Sequence, residues 1–592
     1  MSTVRNNRYK LVFFLLATVI LFLNFKVYKN IYVTEYSIKN TIPSLRGNIY
    51  DSRGRLLATS ELIYTAYLDL DYLRGIFGNA FRKDPDFIRL LNAFGLTGKI
   101  NDLDKKKILR LGSVTKREDA LKKIPVQYLK FISIEPEERR ISLSDFGLSM
   151  IVGKTDQRYG ISGVEAYFDK ILRPVRNGIV SMTYSGIIGK KINSVRIDPE
   201  NGKNVRITID SELQKQLYLL AQEHKLKKQA TEVGLLVMES KTGKIRAALT
   251  TQNWPTYYMG YIEPGSTIKP IVFAAALELG LVNPKTEFYC PGYIKPIDGL
   301  NLTIKDLEVH KDINLYDGLV HSCNVVAIET TREIVSKFGN EKLYEIFTLF
   351  GFGKETGIEL NNEIPGKLNP PDKWYKADWA FMGIGQSIGV TPVQLLAAFN
   401  TIVNNGNYVA PTLDESKKIV PKKVLSKTTS EIVKKMLKDV VERGTGVNAK
   451  IEGIDIFAKT GTAQKNMKKD VTAVFVGQVM LDKPLTIMVW VDSPQTEKLS
   501  SIVAAPFFKE VVLKIKEYQD TLLKTATNNY NTLPDITGWN LSQLRELIQA
   551  TDITIRINSK GLYVERYSLT TTPEATILDV WLSSVPYPKV KN

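Results

Sequence analysis

Pro264-Gly-Ser-Thr-Ile-Lys-Pro270 runs straight into the apolar stretch Ile271-Val-Phe-Ala-Ala-Ala-Leu-Glu-Leu279. A Pro-Gly pair marks a turn, and the run after it predicts a buried helix starting near Ser266. Pro270 fits only the first helical turn, since it has no N–H to donate and its ring crowds the turn before it. Ser266 and Lys269 then share one helical face, close enough for the amine to reach the hydroxyl. A serine is a poor nucleophile until a base takes its proton, and a lysine serves if burial or a second cation lowers its pKa. Alone, the pair decides nothing. Ser113-Val-Thr-Lys116 has the same spacing, and a capping serine beside a surface lysine accounts for either.

Two triads downstream change the weight of that pair. Ser322-Cys-Asn324 precedes the helical pattern Val326 to Phe338, where a hydroxyl and an amide two positions apart can face one cleft. Lys459-Thr-Gly-Thr462 offers a glycine where a ligand can approach the backbone. Ser-x-x-Lys, Ser-x-Asn and Lys-Thr-Gly, in that order, form the signature of penicillin-binding proteins and class A β-lactamases. Lys241-Thr-Gly243 repeats the third motif, but it precedes the serine and sits at a predicted hairpin turn.

The remaining chain agrees with a multidomain, membrane-anchored protein. Its 592 residues allow three or four domains, and 44% hydrophobic with 24% charged residues is a globular composition. The net charge of +18 is spread along the chain and shows no nucleic-acid motif with interleaved aromatics. Two cysteines, Cys290 and Cys323, make no disulfide framework, and the three histidines lack ligand spacing with them, so neither metal nor cofactor is indicated. Cys323 reads as a small buried neighbour inside its triad. Leu11 to Phe25 is an apolar run flanked by Tyr9, Lys10, Lys26 and Tyr28. No small-x-small cleavage site follows it, so it reads as an uncleaved signal-anchor over 11–28 behind a tail of residues 1–10.

From 35 to 205 the pattern is mixed. Arg46 to Ala58 alternates like a hairpin turning at Ser-Arg-Gly, and Phe81 to Lys123 reads as short helices. From 206 to 523, an Asp- or Ser-capped helix to about Lys228 precedes strands Val233 to Glu239 and Lys244 to Thr250. Helices follow at Val326 to Phe338, Glu341 to Phe350 and Pro392 to Val403. Strands Asp470 to Val479 and Leu485 to Val491 then lead to a helix from Ala505-Pro506 to Leu523. Strands at both ends with helices between predict an α+β domain around one mainly antiparallel sheet. A polar linker, 524–532, leads to a small module, 533–590, reading as loop, helix (Ser542 to Ala550) and strands (Ile553 to Ile557 and Ile577 to Ser583).

With these motifs the chain resembles the class B penicillin-binding proteins along nearly its whole length. Gly383-Ile-Gly-Gln-Ser387, Thr391-Pro-Val-Gln394 and Gly444-Thr-Gly446 are similar to that family's transpeptidase domain, and Arg46-Gly and Gly163-Val-Glu165 to its N-terminal pedestal. The tail resembles a PASTA module. The resemblance implies that Ser266 attacks the penultimate D-alanyl carbonyl of a peptidoglycan stem peptide while Lys269, kept neutral by the nearby Lys459, takes its proton. It implies that Ser322 relays a proton to the leaving D-alanine and that Asn324 holds Lys269 and the substrate amide. Thr460, Gly461 and Thr462 bind the substrate, and the backbone N–H groups of Ser266 and Thr462 form the oxyanion hole. Implied partners are peptidoglycan stem peptides, β-lactam antibiotics, the membrane, and division or glycan-polymerising membrane proteins. The implied location is the cytoplasmic membrane, single-pass, N-terminus inside, with the bulk of the chain extracytoplasmic. Septal cell-wall synthesis is the expected role. A non-catalytic scaffold of the division complex and a β-lactamase or D,D-carboxypeptidase-like hydrolase are the alternatives.

Overall fold

The computed structural model describes residues 2–29, 35–96, 98, 103, 106–156, 159–185, 190–464 and 470–528, and in the tail 536–537, 539, 544, 553–559, 561, 563–571 and 576–583. They form two compact units. One comprises Met1–Tyr50, Leu56–Leu143 and Val152–Val205, and the other Asp51–Arg55, Ser144–Ile151 and Arg206–Asn592.

The first helix runs from Ser2 to Tyr28, and its 20-residue stretch Tyr9–Tyr28 is long and apolar enough to cross a bilayer. At 1.5 Å per residue it covers about 30 Å, so the flanking tyrosines and lysines make up what Leu11 to Phe25 lacks. Beyond it, the 14-residue strand Leu56–Asp69 is the spine of the first unit. Ile49–Tyr50 and Ile108–Val114 pair along one edge of that strand and Ile132–Ser142 along the other. Ile108–Val114 corrects the expectation of helices throughout 81–123. Leu109 and Leu111 alternate with exposed Ile108 and Arg110, a period-two pattern that buries one face against Leu73, Phe87 and Phe131. The pedestal motifs converge here. The buried Arg46 donates to Glu165 Oε2 at 2.6 Å and to Asp169 Oδ1 at 2.7 Å, and Arg140 donates to Glu165 Oε1 at 2.7 Å.

The second unit is built on helices α1 (Ser211–Lys228), α2 (Lys269–Glu278), α3 (Asn324–Phe338), α4 (Pro392–Val403), α5 (Lys427–Arg443) and α6 (Ser500–Asn528). Its sheet comprises β1 (Glu232–Glu239), β2 (Ile245–Thr250), β3 (Ile456–Gln464), β4 (Val471–Val479) and β5 (Leu485–Asp492) in the order β2-β1-β5-β4-β3. Every neighbouring pair is antiparallel, as expected. All residues of β1, β4 and β5 are buried, which places cover on both faces and explains why these strands read as unbroken apolar runs. On one face Val233, Leu235 and Val237 of β1 join Phe475 of β4 against Leu217 of α1 and Phe507 and Val511 of α6. On the other lies the fully buried α4, started by a Thr391/Gln394 capping box. Helix α2 packs against α3, α4 and α5, so Ser266 sits at the mouth of the helical layer.

Helix α6 starts at Ser500, ahead of the expected Ala505, and carries Pro506 in its interior. It continues to Asn528, so residues 524–528 of the expected linker are helical; 529–532 lie outside the described residues. In the tail, Ile553–Ile557 pairs parallel with Thr576–Ser583, which pairs antiparallel with Tyr563–Thr571. Strand Tyr563–Thr571 lies in sequence between the two strands expected there; its tyrosines, valine and threonines favour the pleated surface. Leu544, Val564, Leu578 and Val580 form its core. Leu544 is helical, while most of the expected helix 542–550 lies outside the described residues.

Candidate active site

Ser266 lies in a single 3-10 turn, Gly265–Ile268, and α2 proper begins at Lys269 with Pro270 in its first turn. The turn is held between two backbones. Gly265, at φ +52°, donates its N–H to Gly385 O at 3.0 Å, and a Cβ on Gly385 would fall 2.0 Å from Gly265 O. On the other side, a Cβ on Gly461 of β3 would lie 2.7 Å from both Pro264 O and Thr267 Cγ2. These contacts explain the glycine in the third triad and one in the Gly383-to-Gly389 run: no side chain fits where strand and turn touch.

Beneath Ser266 the three triads meet. Lys269 Nζ donates to Ser322 O at 2.5 Å and Asn324 Oδ1 at 2.7 Å, and lies 3.4 Å from Ser322 Oγ. Lys459 Nζ reaches the same hydroxyl at 2.8 Å. The Ser266 hydroxyl, half-buried, makes no hydrogen bond among the described residues, so in this structure the Lys269 amine is engaged by the second triad. Ser322 adopts φ +61°, a left-handed conformation unusual for a residue with a side chain. Such strain costs about 1–3 kcal/mol and persists only where surroundings enforce it. Here the strained residue presents its carbonyl to one lysine and its hydroxyl to both. Asn324 opens α3 and is fixed from behind: its Nδ2 donates to Lys305 O at 2.9 Å and its N–H to Asp306 Oδ2 at 3.1 Å.

Both lysines are fully buried. Burial lowers Lys269 to about 8, with the Asp306 and Cys323 charges pulling the other way. Lys459 is also pushed well below its usual range, first by burial and then by the Lys269 charge. Two ammonium groups around one hydroxyl repel each other, so the proton favours Lys269, which has the better acceptors. Desolvation therefore outweighs the crowding by Lys459 that the sequence singles out as the cause of a neutral Lys269.

Thr460 Oγ1 lies 2.8 Å from Thr445 Oγ1, within the Gly444-Thr-Gly446 motif, and Thr462 Oγ1 donates to Ser500 Oγ at 3.1 Å. Strand β3 is an edge strand, which leaves one row of its peptide groups unpaired by the sheet. At Thr462 that row faces the Ser266 turn: a Cβ on Gly265 would lie 3.1 Å from Thr462 O and 3.4 Å from Thr462 N. Every site residue expected from sequence thus falls in one region, on the 3-10 turn, the start of α3 and strand β3. Asp306, Thr445 and Ser500 support them, and only Thr445 carried a motif. The Lys241-Thr-Gly243 repeat is the β1–β2 turn, with Gly243 at φ +75°. A separate cavity of about 720 Å³ lies past Ala463, lined by Trp254, Tyr261 and Trp490. It contains none of the triad residues, and the chemistry is placed by the lysines and hydroxyls instead.

Comparison with known proteins agrees with this geometry. Residues 233–513 match the penicillin binding protein transpeptidase domain. The chain is similar to Stage V sporulation protein D of Bacillus subtilis, at 27% identity over 88% of this chain and 87% of the relative. It is similar to the peptidoglycan D,D-transpeptidase FtsI of Escherichia coli, at 26% identity over 82% and 86%. Among solved structures, penicillin binding protein 3 of Mycobacterium tuberculosis, complexed with aztreonam, shares the fold with a TM-score of 0.60 at 21% identity, over 81% of this chain and 97% of that one. Penicillin binding protein 2X of Streptococcus thermophilus does so with a TM-score of 0.63 at 18% identity, over 92% and 91%. The ordered triads, their convergence around Ser322 and the family match make residues 233–513 a penicillin binding protein transpeptidase domain, in a chain that is similar over most of its length to the class B penicillin-binding proteins, the peptidoglycan D,D-transpeptidases.

Proposed function

We propose that the protein cross-links peptidoglycan stem peptides through an acyl-enzyme on Ser266. The observation that carries this reading is the hydrogen-bonded set Lys269, Ser322, Asn324 and Lys459, whose first member lies one helical turn on from an unengaged serine hydroxyl. Ser266 Oγ attacks the penultimate D-alanyl carbonyl as Lys269 takes its proton. The Ser266 and Thr462 N–H groups stabilise the developing oxyanion, because donors already aimed at that charge need no reorganisation. The C–N bond to the terminal D-alanine breaks, and its nitrogen takes the proton that Lys269 accepted from Ser266, relayed through the Ser322 hydroxyl that Lys459 holds in place. A neighbouring stem's amine then attacks the ester, forming the cross-link and freeing Ser266. Asn324 keeps Lys269 in place, and Thr460 and Thr462 receive the substrate carboxylate and backbone along the open edge of β3, with Gly461 giving clearance. A β-lactam presents a similar carbonyl and acylates the same serine.

In this reading Tyr9–Tyr28 anchors the protein in the cytoplasmic membrane with its N-terminus inside, so the catalytic unit faces the peptidoglycan outside. The work belongs in this reading to division or sporulation walls, alongside glycan-polymerising membrane proteins; the likeness to a protein named for stage V of sporulation supports the sporulation setting. The pedestal is residues 35–205, and the tail is a PASTA-like module that supplies no catalytic residue; a chain ending after Asn528 should retain acylation. The test is incubation of the purified protein with a pentapeptide donor and an amine acceptor, with D-alanine and dimeric product measured together. Equal release of both supports transpeptidation. D-alanine release without dimer at saturating acceptor supports a carboxypeptidase, and no release from a folded, penicillin-reactive protein supports the scaffold.

A further inference from the structure

Cys290, Asp306, His310 and Cys323 have no ligand spacing in sequence, yet the fold gathers them. One ligand atom from each lies within 4.8 Å of all the others. Cys290 Sγ is 3.3 Å from Asp306 Oδ2 and 3.5 Å from His310 Nδ1, and His310 Nδ1 is 3.6 Å from Asp306 Oδ2. Bonds of about 2.0–2.3 Å to a central ion give a tetrahedron edges of roughly 3.5 Å, which is the spacing of these three pairs, with Cys323 Sγ within the 4.8 Å limit. The setting is also that of a closed site. Both cysteines are fully buried, and the Asp306 and His310 side chains are 2% and 11% exposed. Each ligand comes from a different point of the fold: the end of strand Glu287–Cys290, the loop after Ile304–Lys305, the residue before strand Lys311–Asn314, and the N-cap of α3.

We propose that these four residues bind a zinc ion tetrahedrally. Two sulfurs, an imidazole nitrogen and a carboxylate oxygen suit a borderline-soft ion with no geometric preference of its own, and harder ions such as Mg²⁺ or Ca²⁺ take oxygen ligands instead. Binding converts two thiols to thiolates and releases their two protons to solvent, with no oxidation or reduction. Outer contacts are in place. Asp306 Oδ2 also accepts the Asn324 N–H at 3.1 Å, Asp306 Oδ1 accepts Leu307 N–H at 2.8 Å, and Cys323 Sγ accepts Val326 N–H at 3.5 Å. Because Cys323 lies between Ser322 and Asn324, the ion ties the 290–310 segment to the turn that carries both. It clamps the strained Ser322 in register with Lys459. That consequence rests on the roles proposed above for Ser322 and Asn324; zinc binding does not, and it is read without turnover.

The experiment uses the full-length protein in detergent, grown with zinc and dialysed against metal-free buffer, for elemental analysis. About one zinc per chain is expected, falling to roughly a tenth or less in Cys290→Ala and His310→Ala. Should either variant fail to fold, the wild-type chain stripped of metal and given Co²⁺ supplies a second reading. Thiolate-to-cobalt charge-transfer absorption should appear, and Zn²⁺ should abolish it. Absence of both zinc and the cobalt spectrum overturns the site. So does a Cys290–Cys323 disulfide as the predominant form of the purified chain, or an undiminished zinc content in folded variants.

Discussion

Lys459 Nζ stands 2.8 Å from Ser322 Oγ, and this contact joins the edge strand of the sheet to the start of α3. Lys459 points to the face opposite the α1–α6 core, because side chains alternate along a strand and Ala458 belongs to that core. The hydroxyl it meets is offered by a residue in left-handed conformation, one position before the buried Cys323. Sheet, turn and helical layer therefore register through two buried amines and one hydroxyl.

Removing either amine should slow penicillin acylation by about 10²–10⁴-fold, the usual loss for a positioned acid–base group. Lys269→Ala also frees Asn324 Oδ1 and Ser322 O, so it should lower thermal stability less than it lowers rate. Stopped-flow acylation with a chromogenic cephalosporin, alongside thermal unfolding, separates the two effects. Unchanged acylation in Lys269→Ala at neutral pH would show that the base lies elsewhere.

The pH dependence follows from burial. Burial brings Lys269 down to about 8, and only its neutral form can take the Ser266 proton. The sign is fixed: acylation falls as pH drops below about 8, approaching tenfold per unit, and levels off above it. A rate constant flat from pH 6 to 9, in a protein whose fold is unchanged across that range, contradicts a Lys269 base.

Gly461→Ala tests the contact between β3 and the nucleophile turn. The added Cβ, 2.7 Å from Pro264 O, must push strand and turn apart. A displacement of about 1 Å at reacting groups costs on the order of 10²-fold in rate. The expectation is a folded protein acylated about that much more slowly, with far-UV circular dichroism unaltered. Wild-type acylation by the folded variant would mean the turn moves freely.

The ion cluster of the first unit makes a separate prediction. Glu165 is 1% exposed and accepts from Arg46 and Arg140, so Glu165→Ala leaves the buried Arg46 and the partly buried Arg140 without that partner. Breaking a buried pair in this way costs about 3–5 kcal/mol. Denaturant unfolding of that unit should shift by this amount while Ser266 acylation of the folded protein is retained.

Much of the second unit is legible in sequence because its signals are local. The Asp210 cap and basic last turn delimit α1, and the apolar runs of β1, β4 and β5 need cover on both faces. The three triads name the site because their order is specific. What stays hidden depends on long-range pairing. Nothing around Asp306 shows that it backs Asn324, since the two meet only once the 290–310 segment folds over α3. The Ser266–Lys269 spacing predicts a direct contact, whereas the amine is captured by acceptors 53 and 55 positions away. Ile108–Val114 does not read as a strand because its alternation is short and ends in Gly-Ser-Val, and its pairing with Tyr64–Asp69 has no local mark.

The central claim is that Ser266 is the nucleophile. Its most direct test is reaction of the full-length protein with a β-lactam, followed by intact-mass measurement and peptide mapping, in wild type and in Ser266→Ala. One adduct per chain on the peptide containing Ser266, persisting for minutes or longer and absent from a folded Ser266→Ala protein, is the predicted result. A stable adduct on Ser322, Ser113 or any other residue, or labelling that survives in Ser266→Ala, would contradict the account.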